Sequence, residues 1–371
     1  MSTLVTVVKN SRHLKDFLRL PHVIYRDDQN WVPPVASEVR RTLNVNKNPY
    51  FREATLRLFM AYRKRMPVAR LAIIINELQQ KRFGVRSAFF GYFETMNDEE
   101  AARGLFAEAE KYCISKGARL LEGPFSPNHY SELGLQLDFF GAPPSFFQPY
   151  NPPYYGELLK TLGFRVSARF WTMKNDQIRD YARQRYGFSR KLHNLNGYSV
   201  RSISLTDLGT ELERIREVNN DAFDSNWHFL PLSQAEYAFA SKYMKLVTRP
   251  DLIKIVEHEG QPIAVLHCVL DINPLLKNLN GKVGPIKWVK FMMARRTIKK
   301  LIIYTVAIKK AYRHTRVSYL LLEALCEMLQ DFDVVETTWL SSENIPAVKA
   351  AESLGMRPDK HFAIYEKGIG P

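Results

Sequence analysis

Between Leu301 and Met328 the hydrophobic pattern changes its period. Leu301-Ile302-Ile303-Tyr304-Thr305-Val306-Ala307-Ile308 is uncharged and rich in β-branched residues, which predicts a buried strand. Val317, Leu320, Leu321, Ala324, Leu325 and Met328 then recur at helical spacing. The two runs are joined by Lys309-Lys310-Ala311-Tyr312-Arg313-His314-Thr315-Arg316. A strand that enters a helix through a basic turn offers free backbone N–H groups and a positive dipole end to an anion. That is the outline of a pyrophosphate site.

The rest of the chain states one pattern twice. Leu4 to Val8 reads as a strand and Ser11 to Tyr25 as a capped amphipathic helix; Val200 to Ile203 and Thr206 to Phe223 repeat the pair. Hairpins follow around Pro67-Val-Ala and Pro262-Ile-Ala, 195 residues apart. Leu162-Gly163-Phe164-Arg165 and Leu354-Gly355-Met356-Arg357 have their glycines 192 apart. Two unrelated segments at nearly one offset predict an internal duplication, with halves 1–175 and 198–371 joined by a polar linker, 174–198, that carries Arg179, Arg183, Arg185, Arg190 and Lys191. Each half runs strand, helix, hairpin, strand, helix, strand, helix, strand, an α/β class with mixed sheets of the α+β kind.

The halves differ by one insertion each. In the first, a Pro-, Gly- and Tyr-rich segment from Gly123 to Tyr155 holds His129, Glu132, Asn151, Tyr154 and Tyr155, and the preceding helix opens on Thr95-Met-Asn-Asp-Glu-Glu, whose acids would repel a pyrophosphate. In the second, Asn273 to Lys300 mixes Trp288, Phe291, Met292 and other apolar residues with eight Lys/Arg. No acid occurs from Ile272 to Leu322, against twelve Lys/Arg. Any phosphorylated cofactor therefore belongs to the second half.

Composition narrows the partners. The 371 residues carry 53 Lys+Arg against 38 Asp+Glu, a formal +15, which favours anions: phosphorylated cofactors, nucleic acid or an acidic membrane surface. Cys113, Cys268 and Cys326 show no CxxC spacing, so neither a disulfide framework nor a metal site is expected, and a reducing cytoplasm fits. Neither a signal-peptide pattern nor an apolar run of roughly 20 residues is present, so the expectation is a soluble or peripheral protein.

The strand, Tyr312-Arg313 and the apolar helix resemble the acyl-CoA motif of the GNAT acyltransferase superfamily, whose loop usually reads Arg-x-x-Gly-x-Gly/Ala. Here it is Arg313-His314-Thr315-Arg316-Val317-Ser318, with both small positions altered, and glycine is what lets amides approach phosphate closely. Asn30-Trp31-Val-Pro-Pro34, Lys47-Asn-Pro49, Phe89-Phe-Gly-Tyr-Phe-Glu94, Gly123-Pro124, Pro149-Tyr-Asn-Pro-Pro-Tyr-Tyr155, Asn226-Trp227, Asp271-Ile-Asn273 and Ile364-Tyr365-Glu-Lys367 narrow the resemblance to the tandem-GNAT family of YghO-like and bacterial ceramide synthase-like proteins. It spans about Asn30 to Lys367, nearly the whole chain.

The resemblance implies two GNAT-like domains and transfer of an acyl group from acyl-CoA or acetyl-CoA to an amine, of a long-chain base or similar lipid, at the cytoplasmic face of a membrane. It further implies that the backbone of Val306 to Ile308 pairs with the pantetheine arm and that Arg313, His314, Thr315, Arg316, Val317 and Ser318 take the pyrophosphate, with Asn344 nearby. Asn344, before Ile345-Pro346, is also a good helix cap. The tyrosine that often protonates the thiolate in this superfamily falls here at about Ala351, so Tyr365, Tyr312 or a residue of the first half must substitute. Acyl transfer to an amine needs a neutral amine, a polarised carbonyl and a protonated leaving thiolate. The expected catalytic set is His129 or Glu132 for the ammonium proton, with Tyr155 or Tyr365 as donor, and no metal. Trp288, Phe291 and Met292, among basic residues of 275–300, are expected at an anionic membrane surface. No specific nucleic acid is expected. Peptidyl transfer from aminoacyl-tRNA, or a non-catalytic membrane-binding descendant, are the competing readings.

Overall fold

A computed structural model describes residues 3–128, 130–189, 197–281, 284–341 and 343–370, without the side chains of 185–189, 243, 245 and 246. Along the first part of the chain run β1 (Leu4–Val7), α1 (Ser11–Ile24), α2 (Ala36–Thr42), β2 (Ala54–Arg63), β3 (Met66–Asn76), α3 (Glu77–Phe83), β4 (Ser87–Thr95), α4 (Glu99–Ser115), β5 (Leu120–Gly123), β6 (Phe125–Ser126), β7 (Glu132–Leu133), β8 (Leu135–Gln136), α5 (Tyr155–Thr161) and β9 (Arg165–Asn175). Then come α6 (Ile178–Ser189), β10 (Tyr198–Ser202), α7 (Leu208–Phe223), α8 (Gln234–Ala240), α9 (Met244–Val247), β11 (Ile253–His258), β12 (Gln261–Leu270), α10 (Asn273–Leu279), α11 (Pro285–Ala294), β13 (Lys300–Ile308), α12 (Val317–Leu329), β14 (Val334–Thr337), β15 (Leu340–Ser341), α13 (Ile345–Glu352) and β16 (Arg357–Gly368). The mixed α/β class read from the pattern is the class observed.

The chain divides into two compact units, the first made of Met1–Phe170, Leu276–Lys287 and Lys360–Pro371, the second of Trp171–Leu275 and Trp288–Asp359. In the first unit the strand order is β1-β2-β3-β4-β5-β16, followed by the early part of β9. Helix α4 turns Ala101, Leu105, Phe106, Ala109 and Cys113 onto this sheet, where they meet Phe90, Phe93, Phe164, Ala363 and Tyr365. Its N-cap is Asp98, which accepts from the Ala101 amide at 3.0 Å. The last strand of the chain thus lies beside β5, with Tyr365 opposite Gly123.

In the second unit the order is β14-β13-β12-β11-β10, with the end of β9 on β14. One core forms where α7 lays Ile215, Val218 and Ala222 against Ile253, Ile255, Val265 and Ala307. Helix α12 is apolar around most of its circumference because it is covered twice, by β11 and β12 and by α6. The segment expected as a linker therefore contains a packed helix: Ile178 and Ala182 are fully buried, and Arg179 pairs with Asp333 at 2.7 Å. Its charged composition masked those two apolar anchors. Arg190, Lys191 and the side chain of Arg185 lie outside the described residues.

Helix α11 exposes Ile286 (74%), Val289 (57%) and Met293 (69%), at i, i+3 and i+7 on one face. Phe291, by contrast, is 4% exposed and stacks on half-buried Trp288, so it is not available to a surface as the sequence suggested. Among the described residues no helix is long and apolar enough to cross a membrane.

Candidate functional site

Parallel strands that part company leave backbone groups unpaired, and both units have such a place. In the second unit β13 pairs with β14 only from Lys300 to Ile303. Beyond it, Thr338 closes the fork by donating from its amide to the Ile303 carbonyl at 3.1 Å and from Oγ1 to the Tyr304 carbonyl at 3.2 Å. β13 continues to Ile308 with β12 as its partner on the other edge, and Val306 is 47% exposed. A slot with an open backbone edge results.

The slot leads to the basic turn. Lys310 donates from its amide to Asp221 at 2.7 Å and from Nζ to Asp224 at 2.8 Å, while the Arg313 guanidinium donates to the Ala222 carbonyl. These contacts place two cations at the carboxyl end of α7, where the dipole favours them. His314, Thr315, Arg316 and Ser318 remain exposed, and Arg316 at the N-cap of α12 supplies no side-chain cap. Thr315 Oγ1 accepts from the Val317 amide at 3.4 Å. Of the two arginines expected to face a pyrophosphate, Arg313 is thus tied to α7, while Arg316 stands exposed at the start of α12. Asn344 is a cap, accepting from the Ala347 amide at 3.3 Å, and Ala351 is buried.

In the first unit the same fork is filled. β4 pairs with β5 from Ser87 to Phe89, and the chain leaving β5 crosses β4 instead of diverging from it. A Cβ on Gly123 would stand 2.2 Å from the Phe90 carbonyl oxygen, and one on Gly91 only 1.6 Å from that of Phe125. Only glycine permits this approach. The β6–β7 hairpin then sits on β4, held by Tyr92 N–H donating to Ser126 Oγ at 3.0 Å, and Glu132 lies opposite Ser126.

Beside the filled fork lies a buried polar cluster. Arg70 on β3 faces Glu94 on β4, Nη2 to Oε1 at 3.6 Å, donates through Nη1 to the Phe17 carbonyl at 2.7 Å, and lies 4.8 Å over the Phe17 ring. Glu94 Oε2 accepts from the Tyr25 hydroxyl at 2.9 Å and from that of Tyr155 at 2.8 Å. Tyr155 Oη also accepts from the Thr95 amide at 2.7 Å, and the Tyr154 hydroxyl donates to the Thr95 carbonyl at 2.7 Å. Tyr25 stacks on Trp31 at 5.0 Å. Desolvation raises the Glu94 pKa although Arg70 and the two tyrosines oppose it.

Glu132 is pushed up to about 7, first by desolvation and then by the Glu94 charge. Its side chain is nevertheless solvent-exposed. Tyr92 is raised by burial and by Glu132. A carboxyl near 7 exchanges a proton readily at neutral pH, as general acid–base work requires.

Of the residues expected from sequence, Glu132 and Tyr155 come together in this cluster. Tyr365 lies in the core of the same unit, 1% exposed, and His129 falls outside the described residues. Arg70, Glu94 and Tyr25 went unnoticed. The available signal was a lone charge in each of two apolar strands, Val68–Ile75 and Ala88–Phe93 with its terminal Glu94, since charges in such runs are buried only when paired. By strand register the equivalent pair in the second unit is Val265 and Ala307, so the acid belongs to one half alone. Among the described residues no group of His, Cys, Asp and Glu could hold a metal, and the three cysteines are buried and form no disulfide.

No family model matches the chain. Protein YghO of Escherichia coli is 27% identical over 381 residues, covering 99% of this chain and 95% of that protein. A protein named bacterial ceramide synthase, from Caulobacter vibrioides, is 26% identical over 377 residues, covering 98% and 97%. Among solved structures, a tandem GNAT protein from the clavulanic acid biosynthesis pathway superposes with a TM-score of 0.58 at 13% identity over 100% of this chain and 99% of its own. The chain has the tandem-GNAT fold. A GCN5-related N-acetyltransferase from Sphaerobacter thermophilus, TM-score 0.53 at 11% identity over 100% and 96%, shares the fold. Against the tandem-GNAT architecture the two forks are one structural feature used differently, open in one unit and filled in the other.

Proposed function

We propose that the protein is a CoA-dependent N-acyltransferase in which the C-terminal half, 198–371, takes acyl-CoA and the N-terminal half, 1–175, takes the amine. One observation carries this reading: the open β13 edge runs into an exposed basic turn and an uncapped helix start, whereas the first unit's fork is closed by its own hairpin. The backbone of Val306 to Ile308 then pairs with the pantetheine amides, acetyl-CoA being the smallest such donor. Arg316, the start of α12 up to Ser318 and the flanking His314 and Thr315 receive the pyrophosphate, charge-assisted bonds from Arg316 replacing the contacts that glycine would allow.

Glu132, exposed and near neutrality, takes the ammonium proton, with His129 as the alternative base. Tyr155, with Tyr365 as alternative, is the donor to the thiolate. Aromatic walls from Tyr25, Trp31 and Tyr92 around two carboxyls suit an ammonium carried on an apolar body. The name bacterial ceramide synthase, borne by a relative that matches nearly end to end, supports a long-chain base or similar lipid as that acceptor. The exposed Ile286, Val289 and Met293, flanked by Lys287 and Lys290, support peripheral contact with anionic lipid on the cytoplasmic side.

Titration calorimetry tests the donor side. Acyl-CoA is expected to bind the parent protein, and Arg316→Glu to weaken it at least tenfold, about 1.4 kcal/mol; no binding to the parent would overturn the reading. On the acceptor side, Glu132→Gln is expected to abolish turnover while acyl-CoA affinity stays intact. For the surface, sedimentation with anionic vesicles that falls with salt is expected, and equal sedimentation with neutral vesicles contradicts it.

A further inference from the structure

The exposed stripe of α11 runs into a group of arginines that neither the pyrophosphate turn nor the carboxyl cluster uses. Within the second unit Phe291 is buried and stacks on Trp288 at 5.6 Å, which fixes the inner side of the helix. Val289 and Met293 lie on the outer side. Arg296 follows them at i+7 from Val289, in the 3₁₀ turn Arg295–Thr297 that continues the helix, and exposed Lys290 flanks the stripe. Arg296 is itself exposed, with no hydrogen bond or ion pair among the described residues. Half-buried Arg295 donates through Nη2 to the Thr248 carbonyl at 3.3 Å. Thr248 is fixed in turn, its hydroxyl donating to the Cys268 carbonyl of β12 at 2.9 Å. The residue after it is Arg249, whose guanidinium lies 5.8 Å over the buried Phe332 ring and pairs with Asp251 at 2.8 Å. Three arginines thus gather at the end of α11, and Asp251 offsets one of their charges.

Holding like charges together is unfavourable until an anion joins them. Arg295 registers this: burial, and after it the charges of Arg249 and Arg296, lower its pKa. A bound anion reverses that interaction, and several forked donors around one point match a phosphate, which presents oxygens to more than one partner at once. The apolar stripe decides what carries the phosphate. A nucleic acid would leave Val289 and Met293 without a partner, whereas a bilayer takes them into the acyl boundary and sets its phosphates at the level of the charged helix end. No acid occurs from Ile272 to Leu322, so nothing on this segment opposes a negative surface.

We propose that Arg249, Arg295 and Arg296 form a binding site for the phosphate of an anionic glycerophospholipid, engaged when α11 lies in the membrane interface with Val289 and Met293 inserted. This rests on the peripheral-membrane reading above and gives it a defined headgroup site. Arg296 meets the phosphate from the exposed stripe, and Arg295, held by Thr248, meets it from the protein side.

The full chain is sedimented with vesicles of phosphatidylcholine, alone or mixed with phosphatidylglycerol. The parent is expected to bind the mixed vesicles only. Arg295→Gln/Arg296→Gln should weaken that binding about 25-fold, at about fivefold for each arginine. Lys64→Gln/Arg65→Gln, which removes the same charge from an exposed turn of the first unit, should stay within about threefold of the parent. Arg295→Lys/Arg296→Lys keeps the charge and loses the forks, so it should bind at least about fivefold more weakly than the parent. Thermal midpoints of all variants monitor folding; should the double variants unfold early, Arg296→Gln and Arg296→Lys, at an exposed position, carry the same comparison. A lysine variant equal to the parent, or a glutamine variant no weaker than the Lys64/Arg65 control, overturns the headgroup site and leaves peripheral contact standing. A parent indifferent to phosphatidylglycerol overturns both.

Discussion

Removing Glu94 should destabilise the first unit more than removing its partner Arg70, although both belong to one ion pair. The two side chains are 7% and 13% exposed. In Glu94→Ala the two phenols keep alternatives, since Tyr155 can donate to the Thr95 carbonyl at 3.1 Å and Tyr25 reaches the Tyr150 carbonyl at 3.4 Å. Among the described residues the guanidinium keeps the Phe17 carbonyl and the face of the Phe17 ring, with Glu132 as the more distant carboxyl that senses its charge. Arginine cannot shed its proton, so a buried charge loses its paired counter-ion, at about 3–5 kcal/mol. For a unit of this size that lowers the midpoint of thermal unfolding by roughly 6–20 °C. Arg70→Met is milder, because a carboxyl whose pKa burial already raises can neutralise itself. The double variant Arg70→Met/Glu94→Ala leaves no unpaired charge, and a coupling energy of roughly 1–3 kcal/mol should separate it from the sum of the singles. Scanning calorimetry on the four proteins decides the matter. A Glu94→Ala midpoint within about 2 °C of the parent, or strictly additive losses, would refute the reasoning.

Gly91→Ala adds one methyl against the Phe125 carbonyl and touches no functional side chain. Overpacking against backbone should cost at least about 1–3 kcal/mol and displace the hairpin that carries Glu132, so stability and acceptor turnover fall together; an unchanged crystal position of Glu132 would refute it. For His267 the sign runs towards acid sensitivity: its folded pKa, about 4, lies below the usual 6.5, so the unfolded chain binds the extra proton and stability is lost as pH falls from 6.5 to 4. At 1.36 kcal/mol per unit the full effect is about 3 kcal/mol, and urea titrations of the parent against His267→Phe should show a difference that changes across that window and is flat above it.

Much of the architecture was legible because it is local. Strand and helix periods, the Asp98 and Asn344 caps, the basic turn after Leu301–Ile308 and the repeat of Pro67-Val-Ala at Pro262-Ile-Ala are all short-range or periodic facts, and each corresponds to an element described above. The acid-rich first turn of α4, Glu99 and Glu100, is a local fact of the same kind.

Three things were decided by the tertiary structure. Glu94 acquires its chemistry from Tyr25, Arg70 and Tyr155, residues brought to it by separate elements, and nothing in a single strand says which charges will face each other. The insertion after β5 could have been any surface loop; that it closes the fork over β4 depends on two glycines meeting two backbones, which is a property of approach distance and not of composition. The last strand lies beside β5 because the edge that β5 presents is completed by whichever strand is sterically able to reach it. Periodicity specifies which face of a strand is buried, but its neighbour is chosen by packing between residues far apart in the chain.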